Sequence, residues 1–177
     1  MLSGFLKRLL MARQAQFVEG DVKLFTMPFF LYPVDHHVSL FMKLQKAYGE
    51  KGTTIVFESG KDTSLALIKY FQEKFSMGQG TELVNIWKNV FESSGLGEME
   101  IVALKPKEGQ AIVRLKNSPF AKQYLETNGR SKEPVDYHIA GMLTGLVQGM
   151  AGKKKVMCKE TKCMASGAPF CEFVCSP

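Results

Sequence analysis

An α+β fold is what the order of elements along this chain predicts, because helices and strand hairpins come in blocks without strict βαβ alternation. Two hairpin spacings carry the assignment. Residues 98–105 and 110–116 are joined across Pro106 and Gly109, and 155–160 faces 170–175 across a short loop. Both lengths suit antiparallel pairing. A chain of 177 residues, 45% hydrophobic and 23% charged, can also bury one ordinary globular core.

Residues 1–14 predict a short amphipathic helix, with Leu2, Phe5, Leu6, Leu9 and Leu10 at helical spacing and Lys7, Arg8 and Arg13 between them. The segment lacks the small-residue cleavage site of a signal peptide. It reads as a docking or dimer helix, with a membrane-surface helix as the alternative, and residues 15–177 as the domain proper. Residues 16–25 and 28–32 predict strands, with a turn signal at Gly20-Asp21. Residues 34–48 predict a helix that starts with Asp35 and carries Val38, Phe41, Met42 and Leu44 on its apolar side. The β-branched and aromatic run 53–58 predicts a strand, Ser59-Gly60 a turn, and 63–75 a helix. Further helices are expected at 81–93, at 119–127 and, longest and most apolar, at 134–151. That last stretch is too short to span a bilayer and contains Gln148.

Thirteen Phe and ten Met suit an adaptable core or the lining of an apolar ligand site. The net charge of +6 invites a nucleic-acid reading. However, the basic residues are spread along the chain, apart from Lys153, Lys154 and Lys155, and no nucleic-acid-binding signature occurs. A solvated face explains that run. The expectation is a cytoplasmic protein without direct nucleic-acid contact and without a transmembrane segment.

Two stretches carry chemical information. Gly141, Gly145 and Gly149 recur every four residues and line one face of the last long helix. Each costs about 1 kcal/mol of helix stability relative to Ala, so three in register ask for a reason: close helix packing, or a pocket wall. A pocket against Gly141 and Gly145 is expected, with Phe25, Phe29 and Tyr32 as its aromatic side. The second stretch holds all four cysteines, Cys158, Cys163, Cys171 and Cys175. Such clustering points to metal or redox chemistry. At about 3.3 Å per strand residue, Cys158 and Cys163 stand roughly 16 Å apart, too far for one zinc ion that holds sulfur at about 2.3 Å. Cys163 and Cys171 are therefore the better ligand pair. Cys158 and Cys175 fall opposite each other, as a thiol pair or a reversible disulfide. Glu160, three residues before Cys163, is a third candidate ligand. Asp136 and His138 are candidates for a fourth, and His36 and His37 read as helix-surface residues.

Glu160-Thr-Lys-Cys163, followed by Gly167-Ala-Pro169-Phe170-Cys171-Glu172-Phe173, resembles the closing signature of the 4-vinyl reductase domain family. Pro134-Val135, Ala140-Gly141 and Gly145 resemble the helix that precedes that motif. Gly20-Asp21-Val22, Pro28 and Pro33 add a weaker likeness. The resemblance implies the fold of nitric-oxide-signalling and Golgi-transport ligand-binding domains, in which helices and an antiparallel sheet enclose an apolar pocket. It also implies a zinc ion near the ligand, held by residues matching Glu160, Cys163 and Cys171. Relatives of that kind tend to carry a further cysteine where this chain has Asp136, and zinc accepts a carboxylate in its place. Three functions follow as expectations. The first is a homodimeric module that binds or senses a small hydrophobic molecule, with structural zinc. The second is a reductase of a tetrapyrrole vinyl group, for which no nucleotide-binding motif is present, and the third is an assembly module.

Overall fold

Residues 4, 9, 12, 14–29, 31–78, 80–152 and 155–177 are described in the computed structural model, and the chain divides into two units, Met1–Pro33 and Val34–Pro177. The expected helix at 1–14 lies mostly outside the described residues; of it, only Gly4, Leu9, Ala12 and Gln14 are described.

In the first unit, β1 (Ala15–Val18), β2 (Asp21–Leu24) and β3 (Met27–Phe29) form an antiparallel sheet in that order. The strand expected over 16–25 is thus split in two. Val18 pairs with Asp21, so Glu19-Gly20 is a two-residue turn, and Gly20 supplies the positive φ of 75°. Phe25 takes φ 59° in the next turn, a conformation rare for a bulky residue. Its N–H donates to the Gln14 carbonyl at 2.5 Å. Tyr32 lies beyond the end of β3 and precedes Pro33, outside the strand expected there.

The second unit begins with α1 (Val34–Tyr48) and α2 (Glu50–Phe75). The strand expected at 53–58 is helix, and Ser59-Gly60 is not a turn. The backbone answers locally: the Thr53 and Thr54 hydroxyls both donate to the Glu50 carbonyl, at 2.8 and 2.9 Å, an arrangement that makes β-branched Thr tolerable in a helix. Tertiary packing does the rest. The missing side chains of Gly52 and Gly60 admit the Leu44 and His138 carbonyls respectively, where a Cβ would overlap oxygen. α3 (Thr81–Ser93) buries Leu83, Val84, Trp87, Val90 and Phe91 along one helical face, with Trp87 stacked on Phe91 at 5.3 Å between ring centroids.

A four-stranded antiparallel sheet follows, ordered β4-β5-β7-β6, from β4 (Met99–Lys105), β5 (Gln110–Leu115), β6 (Met157–Lys162) and β7 (Cys171–Ser176). Ala111, Val113 and Leu115 alternate inward on β5, as Cys171, Phe173 and Cys175 do on β7. α4 (Pro119–Asn128) starts with Ser118 as its cap, whose hydroxyl accepts from the Ala121 N–H at 3.1 Å, and with Pro119 in the first turn. α5 (Tyr137–Ala151) packs along α2 and against β6 and β7. The α+β class and the antiparallel sheet are as the sequence predicts. No helix among the described residues is long and apolar enough to cross a membrane.

The glycine stripe of α5 is filled by α2. A Cβ on Gly141 would overlap the Phe57 carbonyl, one on Gly145 would overlap the Lys61 carbonyl, and one on Gly149 would come within 2.7 Å of Ile68 Cδ1. Gly60 of α2 answers from the other side, so the two backbones share a seam of small residues. The face that was expected to border a pocket at Gly141 and Gly145 is a helix–helix contact.

Candidate metal centre and adjoining cavity

Glu160 and Cys163 are three residues apart, a spacing that would put them on opposite faces of a regular strand. A register shift between Glu160 and Lys162 in the β6–β7 pairing breaks the alternation, and such a bulge re-aims the side chains that follow it. Cys163 then ends the strand, and a 3₁₀ turn over Met164–Ser166 closes with Gly167 at φ 95°. Backbone bonds fix that turn: Ala168 N–H donates to the Cys163 carbonyl at 3.1 Å and Ser131 N–H to the Ala165 carbonyl at 2.9 Å. The Arg130 guanidinium donates to the Ser166 carbonyl at 3.0 and 2.9 Å.

The result brings one ligand atom each from Glu160, Cys163 and Cys171 within 4.8 Å of one another. Both thiols are free, and both are buried. Asp136, at the start of α5, lies outside that mutual distance but adjoins the group: its backbone N–H donates to Glu160 Oε2 at 2.9 Å. Its own Oδ2 accepts from the Ser118 hydroxyl at 2.6 Å. The Met164 N–H donates to Cys171 Sγ at 3.3 Å. Asp136 Oδ1 and Glu160 Oε1 are buried without a hydrogen-bond partner.

Four acidic side chains therefore share one dry place, and among the described residues no ion pair with Lys or Arg neutralises Asp136 or Glu160. Burial, with Glu160 beside it, pushes the Asp136 carboxyl up to about 7. Burial and the neighbouring Cys163 push Glu160 up to about 8. Between the two thiols the proton stays on Cys171, which is pushed upward by its hydrogen bond to Cys163, and Cys163 is drawn down to about 6 by the same bond. The arrangement suits a divalent cation, which would pair the orphaned oxygens and relieve the crowding of like charges.

The other candidates for a fourth ligand are engaged elsewhere. Cys158 and Cys175 face each other in register and are joined as a disulfide. The His138 ring meets His37 edge-on at 4.9 Å and bonds to the Val56 backbone. His37 is accordingly not a plain surface residue: it is half-buried, with Phe120 at 5.5 Å on its other side.

A cavity of about 320 Å³ opens beside the cluster, lined among others by Phe57 of α2, Tyr137 and Ala140 of α5, and Met157, Cys158 and Glu160 of β6. It borders the helix on which the pocket was expected, at Tyr137 and Ala140 instead of Gly141 and Gly145. Phe25, Phe29 and Tyr32 belong to the first unit and are not among its lining residues. Sequence reasoning missed Ser118, whose position before Pro119 marked it as a helix cap and not as a partner of Asp136. It also missed Phe57, whose place in a supposed strand hid its neighbourhood with α5.

Residues 112–177 match the vinyl-4-reductase (V-4-R) domain, in line with the resemblance of the closing motif. An uncharacterized protein of Methanocaldococcus jannaschii is 27% identical over 134 residues, 71% of this chain, and the match spans 58% of that protein's length. The phenol-responsive sensory domain of the transcription activator PoxR, solved with phenol, superposes with a TM-score of 0.79 at 18% identity, covering 99% of this chain and 92% of that one. A trafficking protein particle complex subunit 3 from Naegleria fowleri, covalently bound to palmitic acid, gives 0.54 at 15% identity, covering 81% and 93%. At such identities these two structures speak for the fold, which is that of the ligand-binding domains the sequence resembles.

Proposed function

With residues 112–177 forming a vinyl-4-reductase-type domain, we propose that this chain binds and senses a small hydrophobic molecule in the cavity beside α5, next to a structural zinc ion held by Glu160, Cys163, Cys171 and Asp136. The observation that carries the reading is that Glu160 belongs both to the acidic cluster and to the cavity wall. A volume of about 320 Å³ lies at the small end of the range for ligand pockets, so a single-ring molecule is the expected occupant. The sensory domain that shares the fold is itself phenol-responsive. Zinc is the expected ion because two thiolates and two carboxylates make a closed four-donor set, and closed sets of this kind are structural. Such an ion would tie β6, β7 and the start of α5 together and so hold one wall of the cavity. A homodimer in the cytoplasm, with residues 1–14 as the contact, completes the proposal.

Titration calorimetry with p-cresol tests the cavity. Ala140 is buried and lines it, so Ala140→Leu fills space the ligand needs. Affinity should fall by about tenfold or more, the loss of roughly 1.4 kcal/mol of contact. A folded Ala140→Leu protein with wild-type affinity, or a wild type that takes up no single-ring aromatic, overturns the assignment.

A further inference from the structure

Cys158 and Cys175 are direct register partners on β6 and β7, and at 1% and 2% exposure neither can be reached across the outer surface. The cavity changes that for one of them. Cys158 is among its lining residues and Cys175 is not. At its edge Met157 is 52% exposed, and Lys159, also a lining residue, is exposed. We propose that the Cys158–Cys175 bond is a thiol–disulfide exchange site entered through the cavity, open to small-molecule thiols and closed to protein dithiols, and protected while the cavity is occupied. This rests on the cavity assigned above, though not on which molecule fills it.

The chemistry balances with two equivalents of a small thiol. A thiolate RS⁻ attacks Cys158 Sγ, the sulfur on the cavity side. The S–S bond breaks and Cys175 leaves as a thiolate that takes up a proton. A second thiol attacks the sulfur of R in the mixed disulfide, releasing RSSR and the Cys158 thiol. Two electrons pass from the two thiols to the protein disulfide. Exchange depends on access as much as on thiolate chemistry, and the pair's burial makes access the controlling factor. The bridge joins the two strands that supply Glu160 and Cys171, so its reduction removes a covalent tie from the hairpin that carries the metal cluster.

The test uses the full chain with its disulfide formed. It is exposed to 2-mercaptoethanol or to a thioredoxin-type protein dithiol, quenched and alkylated, and labels at Cys158 and Cys175 are followed by mass spectrometry. The small thiol should open the bond in the folded chain while the protein dithiol leaves it intact. Met157→Trp, a change at an exposed position on the cavity wall, should slow the small thiol by about tenfold or more, and saturating p-cresol should slow it likewise. Three results overturn the proposal: equal rates in wild type and a folded Met157→Trp chain, equally fast reduction by the protein dithiol, or labelling that appears only once denaturant unfolds the protein. The two readings fail separately. If p-cresol does not bind but Met157→Trp still blocks the small thiol, the ligand assignment falls and the exchange site stands. If p-cresol binds while the bond opens only on unfolding, the reverse holds.

Discussion

At the scale of single residues, the acidic cluster decides what the site can hold. Removing one thiol leaves three donors and an open position, which is poorer support for a structural ion. Cys171→Ser should therefore drop bound zinc from about one equivalent to well below it, as read by elemental analysis. Wild-type protein prepared without chelator and still far below one equivalent would count against the metal. The histidines give a second test. Burial holds His37 below the ordinary imidazole range and His138 at about 4. The unfolded chain takes up protons near 6.5 where the folded one does not, so these rings stabilise fully above that pH, and their contribution is lost as the pH falls toward the folded values. Denaturant unfolding between pH 7 and 5 should show this loss, and His37→Phe should have a shallower slope than wild type. Comparison with wild type cancels the opposite contribution of the buried carboxyls. An unchanged slope would mean that His37 titrates as in a peptide. Much of the cluster was legible beforehand, since the spacing of Cys163 and Cys171 about a hairpin loop is a local property. The bulge that turns Glu160 to the same side was not, because the pairing of β6 with β7 creates it.

At the scale of elements, the seam between α2 and α5 explains both a missed helix and a displaced pocket. The run 53–58 reads as a strand when only neighbours in sequence are considered, because β-branched residues crowd a helix turn. What overrides that preference is a partner far along the chain, whose glycines let the two backbones meet. The obstacles differ along the seam: carbonyl oxygens at Gly141 and Gly145, but the flexible tip of Ile68 at Gly149. Backbone yields less than a side-chain tip. Gly141→Ala should thus cost about 1–3 kcal/mol or more, and Gly149→Ala clearly less. Thermal or denaturant unfolding of the two proteins checks the order. Equal costs, or a Gly141→Ala chain as stable as wild type, would remove the seam as the reason for the stripe. The four-residue spacing was plain in the sequence, but packing and pocket leave the same trace there, and only the position of α2 separates them.

At the scale of the whole molecule, the question is what covers residues 1–14. Leu2, Phe5, Leu6, Leu9 and Leu10 would form a continuous apolar stripe on a helix, and a stripe of that size left in water usually marks a contact. Leu9 is covered within a single chain, at 5% exposure, so part of the stripe need not await a partner. The remaining four residues are what a second copy would bury, and symmetric pairing of one surface with itself is the commonest solution among soluble oligomers. Static light scattering of the full-length chain should then give about twice its 19.8 kDa. A chain lacking residues 1–14 should fall to the single-chain mass while keeping its affinity for p-cresol, since none of the residues lining the cavity lies in that segment. A full-length monomer, or a dimer unmoved by the deletion, would assign the stripe to the chain's own surface. A deletion that abolished p-cresol binding would tie the segment to the cavity and make dimerisation part of ligand recognition.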